Sequence, residues 1–238
     1  MGFRRKWITL GFSGWLAVTA HAQIGAEIAQ QHAQRAGERL AALKSLRTEG
    51  RITIAGETVA IVTLAQRPNR LRVVTSTPAR RVIQVTDGIS PPWISHTDTE
   101  GGATQEMNEA DARDFLESAD FDGVLVDYAK KGYSVDYAGE EMIEQRKTAK
   151  LLLMGPRDEI FFLWLDAESH EIVKRLVYRT RGEQRISIET LFKDFRPAAG
   201  VLQPHRIETS ANGQALYVMV LEKMEANPIV APGAFSKP

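Results

Sequence analysis

Residues 51–86 read RITIAGETVAIVTLAQRPNRLRVVTSTPARRVIQVT. Four runs within it, 51–55, 58–66, 70–75 and 80–86, are rich in Val, Ile and Thr and contain neither glycine nor proline, the composition of β-strands. They break at Ala55-Gly56, at Arg67-Pro68-Asn69 and at Thr77-Pro78, where turn residues end one strand and start the next. Consecutive strands joined by such short turns pair antiparallel, so this stretch predicts a meander and sets the class as mainly β. A further strand holds Trp93, and residues 97–104 read as a polar loop.

The pattern returns after residue 133. Runs at 133–138, 147–154, 159–165, 171–179, 184–192, 205–210 and 216–223 carry the same composition, with turn signals at Gly155-Pro156-Arg157-Asp158, Arg181-Gly182 and Asn212-Gly213. Asn-Gly between two strand patterns is a strong hairpin signal. Two helical stretches frame this half. Residues 23–46 hold good helix formers and no proline, with Ala29, Ala33, Ala36, Leu40 and Leu43 along one narrow face. Residues 108–118 begin with Asn108 as an N-cap and Asp111 three positions on, a capping-box variant. Residues 121–131, with Val124, Leu125 and Tyr128, continue as a short helical or irregular piece. About eleven strands with an N-terminal helix and a helical insertion predict a strongly curved sheet, an incomplete antiparallel β barrel.

Polarity along the strands differs. Residues 184–192 alternate, with Ile186 and Ile188 opposite Arg185, Ser187 and Glu189, as in a sheet with one wet face. Residues 160–165 and 216–221 are apolar on both faces, which predicts cover on both sides. That cover is the first helix on one side and the inner helices or a ligand on the other.

The chain opens with Arg4, Arg5 and Lys6, then a 12-residue apolar run from Trp7 to Val18, then Ala20-His21-Ala22. This order reads as a secretory signal peptide over residues 1–22, cleaved after Ala22, because the apolar run is too short to span a bilayer. Removing those three bases leaves 27 Lys plus Arg against 30 Asp plus Glu, a balance that lacks the basic footprint of a nucleic-acid binder. Cysteine is absent, which excludes a disulfide framework, thiol chemistry and an acylated N-terminal cysteine. Residues 23–238 contain no Ser/Gly-rich linker and read as one domain.

Catalytic signals are sparse. His32, His96, His170 and His205 are scattered without metal or triad spacing. Asp166-Ala167-Glu168-Ser169-His170 offers alternate polar groups for a hard cation, yet the same residue types make a strand-to-strand turn. The pairs Glu140/Glu141 and Asp120/Asp122 read as solvated charges, and no phosphate-binding or nucleophile-elbow motif occurs. A protein without enzymatic activity, cofactor or metal is the expectation. Periodicity leaves open whether the concave face of the sheet is a filled core or a cavity for an apolar ligand.

Taken in order, Gln66-Arg67-Pro68-Asn69-Arg70, Val85-Thr86-Asp87-Gly88 and Trp93 resemble the R-P-N, strand, D-G, short gap, W pattern of LolA-type outer-membrane lipoprotein carriers. Lys131-Gly132-Tyr133, Phe162-Leu163-Trp164-Leu165-Asp166, Asp194-Phe195-Arg196 and Gly200-Val201-Leu202-Gln203-Pro204 extend the resemblance to the second half. The resemblance implies a periplasmic protein of a Gram-negative bacterium. It also implies a half-barrel with a helical lid over an apolar cavity that takes the acyl chains of lipoproteins or of a lipid. An inner-membrane release complex, an outer-membrane acceptor and a monomeric carrier are implied with it. Arg67 matches the arginine that in these carriers bonds to the lid. The candidate cavity residues are Ile61, Leu71, Val73, Val85, Trp93, Phe115, Leu116, Phe162 and Trp164, with Trp93 expected to meet the ligand and Asp87 to form a corner. The alternative is an envelope sensor or scaffold of the same fold that binds a protein partner and fills its interior with its own side chains. Pro91 and Pro92 lack ladder donors, which places that hairpin at an edge or a bulge.

Overall fold

The computed structural model describes residues 13–97, 103–156 and 159–237. In chain order they form α1 (Ser13–Ala42), β1 (Ser45–Ile54), β2 (Glu57–Gln66), β3 (Arg70–Ser76), β4 (Arg81–Thr86), β5 (Trp93–Thr97) and β6 (Thr104–Glu106). Next come α2 (Glu109–Ser118), β7 (Ser134–Ile143), β8 (Arg146–Met154), β9 (Ile160–Asp166) and β10 (Ile172–Arg181). The chain continues with β11 (Gln184–Ala198), β12 (Val201–Ala211) and β13 (Gln214–Ala226). All thirteen strands belong to one sheet in the order β6-β5-β4-β3-β2-β1-β13-β12-β11-β10-β9-β8-β7. Each is antiparallel to its neighbours, and the edges β6 and β7 do not pair. The meander predicted from residues 51–86 is β1 to β4, and the Asn212-Gly213 hairpin joins β12 to β13 with both residues at positive φ.

Directly opposed residues of antiparallel strands point to the same face. The pairs Leu163↔Arg175, Arg175↔Thr190, Thr190↔Thr209, Thr209↔Tyr217 and Tyr217↔Ile54 therefore trace one face across the middle of the sheet. The series Ile52↔Val59, Gly50↔Ile61, Ile61↔Thr75 and Ala65↔Leu71 carries that face to β3. Both helices lie on it. Ala29 of α1 and Leu125 pack with Leu151, Leu153, Phe161, Leu163 and Leu165, all at most 2% exposed. Each of the leucine and phenylalanine side chains in this set stabilises the fold by about 1.5–3 kcal/mol. On the other half, Phe115 and Ala119 pack on Leu71.

The opposite face of β2 to β5 is covered by the chain after β13. Phe235 packs with Val85 and Trp93, flanked by Leu64, Ile83 and Val230, and Arg72 Nη1 donates to Ala234 O at 3.1 Å. Asn227 anchors the start of this tail: its Oδ1 accepts from Lys44 N at 2.7 Å, and its amide N donates to Ser45 O at 2.8 Å.

Several expectations change. Thirteen strands form where about eleven are expected, and one of those added is the edge strand Thr104–Glu106, which begins at the end of the segment read as loop. Residues 98–102 of that loop, 1–12 of the expected signal peptide and Arg157-Asp158 of one turn lie outside the described residues. α1 ends at Ala42 rather than near Leu46, since Leu46 pairs with Ala65 and with Ala226. α1 also breaks at Gly37, which has φ 45°. Residues 121–131 form turns. The first helix and the inner segment share one face of β9 instead of covering both. In β13, expected to be covered on both sides, Leu216 and Val220 are exposed. Pro91 and Pro92 precede β5 and leave its ladder intact.

Candidate functional site

α2 crosses the concave face because its two sides have different chemistry. Its start is fixed by Asn108, whose Oδ1 accepts from Asp111 N at 3.0 Å while its Nδ2 donates to Asp111 Oδ2 at 2.7 Å. From there Phe115 and Ala119 meet β3, whereas Asp114 and Glu117 turn to β10. Arg179 of β10 has a side chain 3% exposed, donates from Nε to Asp114 Oδ1 at 2.7 Å, and bonds through Nη2 to Glu117.

The turns that follow α2 are tied by Lys131. Its Nζ donates to Asp120 Oδ1 at 2.8 Å, to Asp120 Oδ2 at 2.6 Å and to Gly123 O at 2.8 Å. Arg67, in the turn between β2 and β3, donates from Nε to Leu43 O at 2.6 Å and from Nη2 to Leu40 O at 2.8 Å. Its Nη1 pairs with Asp122, and the guanidinium lies 4.8 Å from the centre of the Phe121 ring. One planar fork thus joins the end of α1 to the segment after α2, a task that suits arginine. Next to it, Gly88 at φ 78° sits where a Cβ would lie 3.0 Å from Asn69 O. The R-P-N and D-G motifs are therefore in contact. Asp87 Oδ1 accepts from Ile89 N at 2.8 Å and Ser90 N at 2.7 Å, and these bonds, led by that from Ser90, hold its pKa down. It is a corner residue.

Between α2, the 120–133 segment and the inner face lies a cleft of about 1050 Å³, at the upper end of the usual ligand-pocket range of about 300–1,000 Å³. Phe161, Leu163 and Phe192 supply its apolar floor, and Leu116 and Val124 part of its walls. Arg113, Glu117, Lys131, Tyr133, Glu159 and Arg175 also line it. Burial raises the Glu117 pKa against the pull of Arg179 and Arg175. Burial lowers that of Arg175, partly offset by Glu117. Tyr133 donates to Glu159 Oε2 at 3.1 Å, and its pKa is raised by burial and by that carboxylate.

The sequence-derived cavity residues divide by strand parity. Ile61, Leu71 and Val73 are on the inner face, Phe115 packs on Leu71, and Leu116 lines the cleft. Val85 and Trp93 point to the outer face, beneath Phe235. Phe162 and Trp164 also face outward, since their neighbours Phe161, Leu163 and Leu165 take the inner face. Trp164 Nε1 donates to Glu141 Oε2 at 2.7 Å, and the ammonium groups of Lys150 and Lys174 lie 4.8 and 4.7 Å from its ring centre. Phe162 instead borders an outer hollow of about 530 Å³ with Leu152, Tyr178 and Arg185. Among the cleft residues that the sequence reading does not select for the cavity are Phe161, Leu163, Phe192, Arg113 and Arg175. Alternation of Arg175 and Arg179 with Val173 and Val177 on β10 is the pattern that marks charges on an otherwise apolar face.

Asp166 closes a turn: Oδ1 accepts from Ser169 N at 2.8 Å and Glu168 N at 3.0 Å. Burial acts against its charge, but these bonds bring its pKa below the ordinary value. His32 Nδ1 lies 2.8 Å from His170 O, Arg80 Nη2 donates to His96 Nδ1 at 2.7 Å, and His205 Nδ1 is 3.1 Å from Gln203 O. Among the described residues no group of three or more His, Asp or Glu is placed to hold a metal ion, and no helix is long and apolar enough to cross a membrane.

No family model matches the chain, and no curated protein does. Solved structures do. A DUF1329 family protein from Desulfovibrio piger superposes with a TM-score of 0.66 at 10% identity, covering 91% of this chain and 97% of the other. A structure described as an outer membrane lipoprotein-sorting protein domain, from Vibrio parahaemolyticus, gives 0.65 at 10% identity over 90% and 97%. A LolA superfamily protein from Nitrosomonas europaea gives 0.59 at 13% identity over 90% and 97%. By these likenesses, spread over nearly the whole of each chain, the protein has the LolA-like fold.

Proposed function

We propose that this protein is a non-enzymatic carrier that holds acyl chains of a lipid or lipoprotein in the cleft beneath α2. The observation that carries the reading is the cleft itself, about 1050 Å³ between a helix and an apolar strand face. Covering such a chain is worth about 0.8 kcal/mol per CH₂, and opening α2 offsets part of that gain so the chain can leave. The description of one structural neighbour as a lipoprotein-sorting domain agrees with this use of the fold.

The working compartment in this proposal is the periplasm, reached through a signal peptide cleaved after Ala22. Ala26, Ile28 and Ala29, which pack α1 on the sheet, all lie beyond that site. So does Gly25, where a Cβ would sit 2.9 Å from Tyr137 N. These contacts stay with the exported chain, whereas His21, stacked on Tyr137, lies before the site.

The rival reading, a scaffold with a filled interior, draws on the inner face of β7 to β10, where Ala29 and Leu125 already occupy the space. Native mass spectrometry of the protein isolated from the periplasm separates the two. A co-purifying lipid mass supports the carrier. A bare protein that also fails to bind a fluorescent fatty acid contradicts it.

A further inference from the structure

The arginines around the cleft are unevenly hydrogen-bonded. Three guanidinium groups, Arg113, Arg175 and Arg179, share two carboxylates, Asp114 and Glu117. Arg179 makes a close bond to each of these carboxylates. Arg175 Nη2 remains 3.9 Å from Glu117 Oε2, and Arg113 Nε remains 3.9 Å from Asp114 Oδ1, too far for hydrogen bonds. Arg113 Nε and, beside Arg175, Glu117 Oε2 are each buried without a hydrogen-bond partner among the described residues, a costly state for charged groups. Of the other charged residues lining the cleft, Asp120 is engaged by Lys131 and Glu159 by the hydroxyl of Tyr133, while Glu109 stands at the first turn of α2. Arg113 and Arg175 thus both line the cleft with donors to spare, and Arg175 lies over Phe161 at 5.8 Å from the ring centre. Apolar floor and unspent guanidinium donors meet in one place.

We infer that the cleft selects an amphiphile with an anionic oxygen head, a carboxylate or a phosphate ester. The head takes the donors of Arg113 and Arg175 while the chain lies along Leu116, Val124 and Phe192, over Phe161. This inference rests on the reading of the cleft as an acyl-chain site and adds the class of head group. Guanidinium forks match carboxylate and phosphate oxygens in pairs of hydrogen bonds, and they do so best where water is excluded.

The test is displacement of a neutral apolar fluorophore, N-phenyl-1-naphthylamine, from the full chain by three competitors of equal chain length: hexadecanoate, hexadecanoyl lysophosphatidate and methyl hexadecanoate. At least one anion is expected to bind about tenfold or more tighter than the neutral ester, as one charge-assisted hydrogen bond supplies. The tighter of the two anions identifies the head as carboxylate or phosphate. In Arg175→Gln that advantage disappears and in Arg113→Gln it shrinks, with the affinity for the methyl ester unchanged in both. If Arg175→Gln does not fold, loss of the advantage in Arg113→Gln decides in its place. Equal displacement by all three competitors overturns the head-group inference and leaves the acyl-chain reading standing. Failure of the fluorophore and the neutral ester to bind at all overturns that reading, and the inference with it.

Discussion

Asp114 and Phe115 are neighbours on α2, yet Asp114 bonds to Arg179 of β10 while Phe115 packs on Leu71 of β3. Five strands separate β3 from β10 in the sheet. Laid flat, those six steps of about 4.8 Å would put them about 29 Å apart. A helix about 10–12 Å across reaches both only if the sheet is curled nearly upon itself. The two contacts are the struts of the half-barrel, and each has a testable energy. Arg179→Gln removes the close bonds to Asp114 and Glu117 and is expected to cost about 3 kcal/mol in urea unfolding. Phe115→Ala is expected to cost a similar amount, about 3 kcal/mol, through the space it leaves against Leu71. Amide exchange in α2 should accelerate in both variants before global unfolding. Unchanged exchange there would show that α2 is held by something else.

Arg67 fixes the segment after α2 through four partners at once. Arg67→Leu is expected to cost about 2 kcal/mol or more, given the charged hydrogen bonds lost. It should also open residues 120–131 to limited proteolysis. Arg67→Lys should restore little of this, because a single ammonium cannot reach two carbonyls, a carboxylate and a ring face together. Full rescue by lysine would reduce the role of Arg67 to its charge alone.

His32 joins α1 to the β9–β10 turn, and burial lowers its pKa from 6.5. The folded state therefore holds it neutral at pH values where the unfolded chain has begun to protonate. Its contribution is complete above pH 6.5, and it declines as the pH falls below that value toward the folded pKa. The difference in unfolding free energy between the wild type and His32→Gln should accordingly shrink on acidification through this window. A difference that stays constant with pH would contradict a buried neutral imidazole.

The outer face should be silent in ligand binding. Phe162→Ala changes a side chain in the outer hollow and is expected to leave acyl-chain affinity unchanged, whereas Phe161→Ala weakens it about tenfold or more, by loss of buried contact. Phe235→Ala is expected to cost about 3 kcal/mol of stability by uncovering Val85 and Trp93, again with affinity intact. Equal losses of affinity in Phe161→Ala and Phe162→Ala would show that the faces are assigned the wrong way round.

The fold was readable from residues 51–86 because alternation of Val, Ile and Thr between Gly, Pro and Asn breaks leaves few options for a chain. The Asn108 cap and the Asp87 corner followed from side chains that bond within three residues of themselves. Faces were a different matter. In β9 six consecutive apolar residues, Ile160 to Leu165, give no alternation, so Phe162 and Trp164 could not be told from Phe161 and Leu163. Trp164 is covered by the ammonium groups of Lys150 and Lys174 and by Glu141, with the Phe162 ring alongside, and hydropathy does not register the charged part of that cover. Trp93 was misplaced for another reason. Phe235, which covers it, lies more than 140 positions away in the chain, and local pattern carries no record of such a contact.

The central claim is that an acyl chain lies between α2 and the inner face. Photolabelling with a diazirine analogue of hexadecanoate, mapped residue by residue by mass spectrometry, tests it most directly. Labels on Leu116, Val124 and Lys131, lost on competition with unlabelled hexadecanoate, are the predicted result. Labels confined to Tyr178, Arg185 or the tail around Phe235, or none that competition removes, would contradict the account.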